Sequence, residues 1–190
     1  MERAGLKRGI LYSAITVLLI FADQITKWVI TQRVPCGYAF TVIPDFFDIS
    51  HVLNTGAAWG VLQGRTAILS LVTFLACVVI VYLLVVTVNP WLAASFIMIL
   101  SGALGNLIDR VFRGEVVDFL TFHFGRYDFP SFNVADICIT CGCILLVIVV
   151  VFIAKDGNFL FRQDSIAHRW FGSDKKSDAS AETGSDNASE

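Results

Sequence analysis

Residues 66–108 read T-A-I-L-S-L-V-T-F-L-A-C-V-V-I-V-Y-L-L-V-V-T-V-N-P-W-L-A-A-S-F-I-M-I-L-S-G-A-L-G-N-L-I, 43 consecutive positions without a charge between Arg65 and Asp109. One helix crossing a hydrocarbon core of about 30 Å needs roughly 20 residues, so a run of this length must turn once. Asn89-Pro90 is the only breaker near its middle. Proline cannot continue a helix from its N-terminal side, so the run divides into spans of about 66–88 and 91–110 joined by a very tight turn.

Working outward, a third uncharged run extends from Ile137 to Ala154 and predicts a last span of about 134–154. Ahead of the central run, 9–32 is a further candidate behind Arg3, Lys7 and Arg8. Its basic start resembles a secretory signal peptide. It is, however, long enough to cross a bilayer, carries Asp23, Gln24 and Lys27, and is followed by no small-x-small cleavage pattern, so a retained helix is expected. The fold class expected is an all-α membrane protein: four spanning helices with a small extracytoplasmic β-sheet between helices 1 and 2.

Composition agrees with that class. Of 190 residues, 56% are hydrophobic, and the mean hydropathy is +0.71. Residues 155–190 hold seven acids and five Lys/Arg, which leaves nine of each in the first 154 residues. No basic stripe is available to hold a phosphate backbone, which argues against nucleic acid as a partner. A membrane domain of 1–154 and a cytoplasmic tail of 155–190 are expected, the tail disordered at least from Ser173, where it lacks any aliphatic larger than Ala.

Four spans place both termini on one side. With the termini in the cytoplasm, eight Lys/Arg lie inside against five in or near the outer segments, the sign expected for cytoplasmic loops. Segments 33–65 and 111–133 then face outward and carry the polar residues, so chemistry is expected at the outer surface. In the first of these, Phe46–Leu53 mixes aromatic and β-branched residues between Gly and Pro, which predicts one or two short strands.

Cys138, Cys141 and Cys143 lie in an apolar helix with no histidine nearby, so small packing residues are expected there rather than metal ligands. Cys36 and Cys77 suggest no disulfide framework, and His51, His123 and His168 are scattered without an H-E-x-x-H. The informative side chains are Asp23, Lys27, Asn106, Asp109, Arg110, Glu115, Asp118, Asn133 and Asp136, because charge and amide groups are expensive in hydrocarbon and usually face a partner or a cavity. Asn106, Asp109 and Arg110 share one helix face, which could be a packing knot in which Asp109 or Asp23 neutralises Arg110. Asn133 and Asp136 have the spacing of a helix cap. Capping does not account for Asp118, which sits among Val116, Val117, Phe119 and Leu120 near the same membrane surface.

Two carboxyls a few ångströms apart cannot both ionise cheaply and share a proton, which equips one as base and the other as acid for hydrolysing an amide with water. No G-x-S-x-G elbow competes for the nucleophile role. A proton-coupled transporter would also carry intramembrane charge, but with internal repeats or helices broken at mid-bilayer. A scaffold protein would explain a Gly-rich helix contact without the two aspartates.

The chain resembles the type II, or lipoprotein, signal peptidases. It carries D-Q-I-T-K at 23–27, N-T-G-A-A-W-G at 54–60, G-A-L-G-N-L-I-D-R at 102–110, V-V-D-F at 116–119 and F-N-V-A-D at 132–136, in order over roughly residues 10–154. The resemblance implies a bacterial plasma-membrane aspartic endopeptidase that cuts prolipoproteins on the N-terminal side of a diacylglyceryl-modified cysteine. It places the catalytic dyad on Asp118 and Asp136. Asp23, Asn54, Gly56, Asn106, Asp109, Arg110, Asn133 and Ala135 match positions that line or support the substrate cleft. The partners implied are lipid-modified prolipoproteins and membrane lipids, the enzyme is expected to be a monomer, and no metal or organic cofactor is needed.

Overall fold

A computed structural model describes residues 2–56, 63–153, 161 and 165–166. The expected disorder from Ser173, like residues 57–60 of the second motif, lies outside the described residues.

The chain runs α1 (Glu2–Arg33), β1 (Ala39–Ile43), β2 (Phe47–Asn54), α2 (Thr66–Val86), α3 (Pro90–Arg113), β3 (Val116–Phe124), β4 (Tyr127–Asp128) and α4 (Val134–Ile148), which continues as a π-helical turn over Val149–Ile153. Among the described residues, four helices are long and apolar enough to cross a membrane: Leu6–Arg33, Thr66–Val86, Pro90–Arg113 and Val134–Phe152. The expected spans therefore correspond to α1–α4, with α1 beginning earlier and α3 ending later than 9 and 110.

The turn between α2 and α3 forms where the sequence puts its breaker. Asn89 caps α3 with Oδ1, accepting from the backbone N–H groups of Trp91 (2.9 Å) and Leu92 (3.1 Å), and Pro90 occupies the first helical position, where no N–H is needed. Gly114, at φ 81°, ends α3 in the left-handed conformation.

α3 is the central helix and packs against α1, α2 and α4. Its neighbours turn large apolar side chains outward, among them Leu71, Val72, Leu75 and Val79 of α2. In water such an exterior would associate; in lipid it is the expected solvent-facing surface. Without a hydrophobic drive between spans, close backbone approach supplies the packing. A Cβ on Gly102 would strike the backbone oxygen of Ala135, and one on Gly142 would lie 2.7 Å from Ile99 Cγ1. These two glycines set the distance between α3 and α4. At the other end of α2, Val86, Leu92, Phe96 and Val149 enclose Phe161, which bridges to Thr87.

The sheet departs from expectation. Among the described residues it has four antiparallel strands in the order β1-β2-β3-β4, of which β1 and β2 lie between α1 and α2. β3 and β4 come from the segment after α3. V-V-D-F-L-T-F-H-F breaks strict alternation at its start, where Val116 and Val117 are adjacent, and its paired positions in β2 lie 62 to 75 residues away. The β2–β3 register sets Val52 opposite Asp118 and Asn54 opposite Val116.

Candidate active site

A cavity of about 780 Å³ opens between α3, the start of α4 and the β2–β3 ladder. Its walls are largely apolar, including Val52, Val116, Phe129, Phe132, Ile137 and Ile139; its polar part includes Asn54, Asn106, Arg110, Asp118 and Asp136. A mostly apolar cleft with a few convergent polar groups is the usual form of a ligand site.

The two aspartates arrive from different elements. Asp118 is the third residue of β3 and is 2% exposed. Asp136 is in the first turn of α4, held there by a reciprocal cap: Asn133 Oδ1 accepts from the Asp136 N–H at 3.0 Å, and Asp136 Oδ2 accepts from the Asn133 N–H at 3.2 Å. Capping and site geometry are thus one arrangement, because the cap aims the second carboxyl at the cavity.

Each carboxyl has a donor at both oxygens. Asp118 Oδ1 accepts from Asn133 Nδ2 at 2.6 Å and its Oδ2 from Asn54 Nδ2 at 2.9 Å. Asp136 Oδ1 accepts from Asn106 Nδ2 at 2.8 Å. Asn133 therefore touches both carboxyls, one through its side chain and one through its backbone. Burial pushes the Asp118 carboxyl up to about 6, and the nearby charge of Asp136 adds to the rise, while the bonds from Asn54 and Asn133 oppose it.

Asn54 is fixed in turn. Its Oδ1 accepts from the Gly56 N–H at 2.9 Å, and the Gly56 carbonyl accepts from Arg110 Nη2 at 3.1 Å. The guanidinium thus ties the end of β2 to α3.

Five of the expected residues, Asp23, Gly56, Asp109, Asn133 and Ala135, do not line the cavity itself. Asp23 Oδ1 accepts from the Ala135 N–H at 2.8 Å, joining α1 to the start of α4. Gly105 makes room for this, since a Cβ there would lie 2.7 Å from Asp23 Oδ2. Asp109 is fully buried and pairs with Lys27 at 2.8 Å and with Arg113 at 3.2 Å. The expected packing knot exists, but its cation is different. Lys27, 0% exposed, pairs with both Asp23 and Asp109, whereas Arg110 reaches the Gly56 carbonyl. Lys27 stands among the intramembrane charges of the sequence yet was not among the expected site residues; its four-residue spacing from Asp23 was the signal that could have found it.

Comparison with known proteins agrees with this geometry. The family profile described as signal peptidase (SPase) II matches residues 15–152. A lipoprotein signal peptidase of Staphylococcus aureus (strain bovine RF122 / ET3-1) is 39% identical over 139 residues, covering 72% of this chain and 85% of the relative; that of strain MRSA252 gives the same figures. Two solved structures, each described as a bacterial membrane enzyme, superimpose with TM-scores of 0.71 and 0.68 at 37% and 38% identity. They cover 76% and 75% of this chain and 90% and 93% of their own. With the match running from the first span into the last, the chain belongs to the signal peptidase II family.

Proposed function

We propose that the chain is an aspartic endopeptidase of the bacterial plasma membrane that removes signal peptides from prolipoproteins, cleaving on the N-terminal side of a diacylglyceryl-modified cysteine. Both termini lie in the cytoplasm and the cavity faces the outer surface, where a lipidated cysteine following a transmembrane signal peptide presents its peptide bond. Residues 1–154 form the peptidase domain.

The observation that carries the reading is the meeting of Asp118 and Asp136, from separate elements, in the polar part of one apolar cavity. A water held between the carboxyls attacks the scissile carbonyl carbon while the ionised partner takes its proton. The protonated partner donates to the carbonyl oxygen as negative charge develops there. Collapse of the tetrahedral intermediate breaks the C–N bond, the departing nitrogen takes a proton from the dyad, and the new carboxyl keeps the oxygen of the water. Asn54, Asn106 and Asn133 keep the carboxyls aimed, and Arg110 supplies further donors on the cavity wall for the peptide backbone. The apolar walls receive the acyl chains and small side chains around the cysteine.

Incubating the purified protein with a diacylglyceryl-modified prolipoprotein and its unmodified counterpart tests the reading. Release of signal peptide from the modified form alone is expected; equal cleavage of both forms would remove the lipid from the recognition.

A further inference from the structure

A buried ammonium that the proposed reaction does not touch is linked to Asp136 by an unbroken chain of contacts. The Lys27 ammonium donates to Asn106 Oδ1 at 2.9 Å and lies 2.8 Å from both Asp23 Oδ2 and Asp109 Oδ2 as an ion pair. Asn106 Oδ1 also accepts from Asn133 Nδ2 at 3.2 Å. An ammonium has no lone pair, and an amide NH2 group only donates, so both neighbours require the oxygen of Asn106 on their side. An amide whose oxygen is fixed has its nitrogen fixed as well. Asn106 Nδ2 accordingly points the other way and donates to Asp136 Oδ1 at 2.8 Å. Turned over, the same amide would set NH2 against an ammonium and a carbonyl oxygen against a carboxyl.

We propose that Lys27 is a positioning residue for hydrolysis, locking the Asn106 amide in the one orientation that holds Asp136 Oδ1, in addition to neutralising the two buried aspartates. This rests on the reading of Asp118 and Asp136 as the hydrolytic pair. If Lys27 served charge balance alone, removing it together with one of its aspartates would leave turnover intact. If it locks Asn106, the same double change restores the charge and still loses the lock.

The test uses the full chain in detergent with diacylglyceryl-modified prolipoprotein, and compares Lys27→Met/Asp109→Asn, Asn106→Leu and the combination Lys27→Met/Asn106→Leu with the wild type and Asp136→Asn. The folded Lys27→Met/Asp109→Asn protein is expected to lose about 30-fold or more in kcat with KM changed less than about threefold. Because both changes act through one amide, the combined Lys27→Met/Asn106→Leu protein should be no more than about threefold slower than Asn106→Leu alone. Near-wild-type kcat in Lys27→Met/Asp109→Asn, or a combined loss equal to the product of the single ones, would overturn the proposal. Asp136→Asn separates this failure from that of the underlying reading, since an active Asp136→Asn protein removes the dyad itself. Should no Lys27 variant fold, the wild-type chain decides: hydrogen exchange at the Asn106 side-chain NH2 slowed about 100-fold or more against free asparagine supports the lock, and exchange at the free rate overturns it.

Discussion

Asp118 carries the clearest consequence at the scale of single residues. Its carboxyl is raised from 3.8 to about 6, so the folded chain holds this proton more tightly than the unfolded chain. Stability from this group is therefore full below about pH 4 and lost as pH rises through about 6; a shift of this size corresponds to about 3 kcal/mol at most. Asp118→Asn should remove that fall, seen as a flatter thermal midpoint between pH 4 and 7 than in the wild type; identical profiles would mean that Asp118 titrates normally. Asp136→Asn is argued differently. Asp136 accepts at both oxygens, and Lys27 pins the donor on one of them, so an Asn there keeps either its Asn133 contact or its Asn106 contact and loses about 1 kcal/mol in thermal denaturation. The types of these residues were legible in the sequence, and the matching motifs proposed the pair. What stayed hidden was the wiring: Asn54, Asn106 and Asn133 are 64, 30 and 15 positions from the carboxyls they hold, and Lys27 reaches Asn106 across 79, distances at which no periodicity speaks.

At the scale of elements, the spans were legible because hydrocarbon forbids charge and Asn89-Pro90 left one place to turn, while half of the sheet was not, because strand partners are chosen across the fold. Two elements carry predictions. The contact of α3 with α4 depends on Gly102 lying against the Ala135 backbone, next to Asp136. Gly102→Val should push the start of α4 away, lowering stability by about 1–3 kcal/mol in thermal denaturation and activity with it; unchanged stability would show that the helices have slack. In the sheet, His123 of β3 meets Asp128 of β4 at 2.7 Å and Asp48 of β2 at 3.1 Å, and these bonds, with that to Asp128 first, raise its pKa above 6.5. The clasp across three strands is thus present at acid pH and lost as pH rises through the elevated value. An NMR titration of His123 should give a pKa above 6.5, falling in Asp128→Asn; a value at or below 6.5 in the wild type would contradict the clasp.

For the whole molecule, an apolar exterior around one buried helix places lipid where a soluble protein has water, and the polar cavity residues gather at the end of the bundle where the sheet lies. Cys36, exposed after the end of α1, should react from outside in cells of permeable outer envelope with a membrane-impermeant maleimide, and protection of Cys36 until lysis would reverse the proposed orientation. The central claim is that Asp118 and Asp136 together activate one water. It is tested most directly by the rate at which purified wild type, Asp118→Asn and Asp136→Asn release signal peptide from diacylglyceryl-modified prolipoprotein, each first shown to be folded. Both variants are expected to lose about 100-fold or more in kcat, and wild-type turnover by either folded variant would contradict the account.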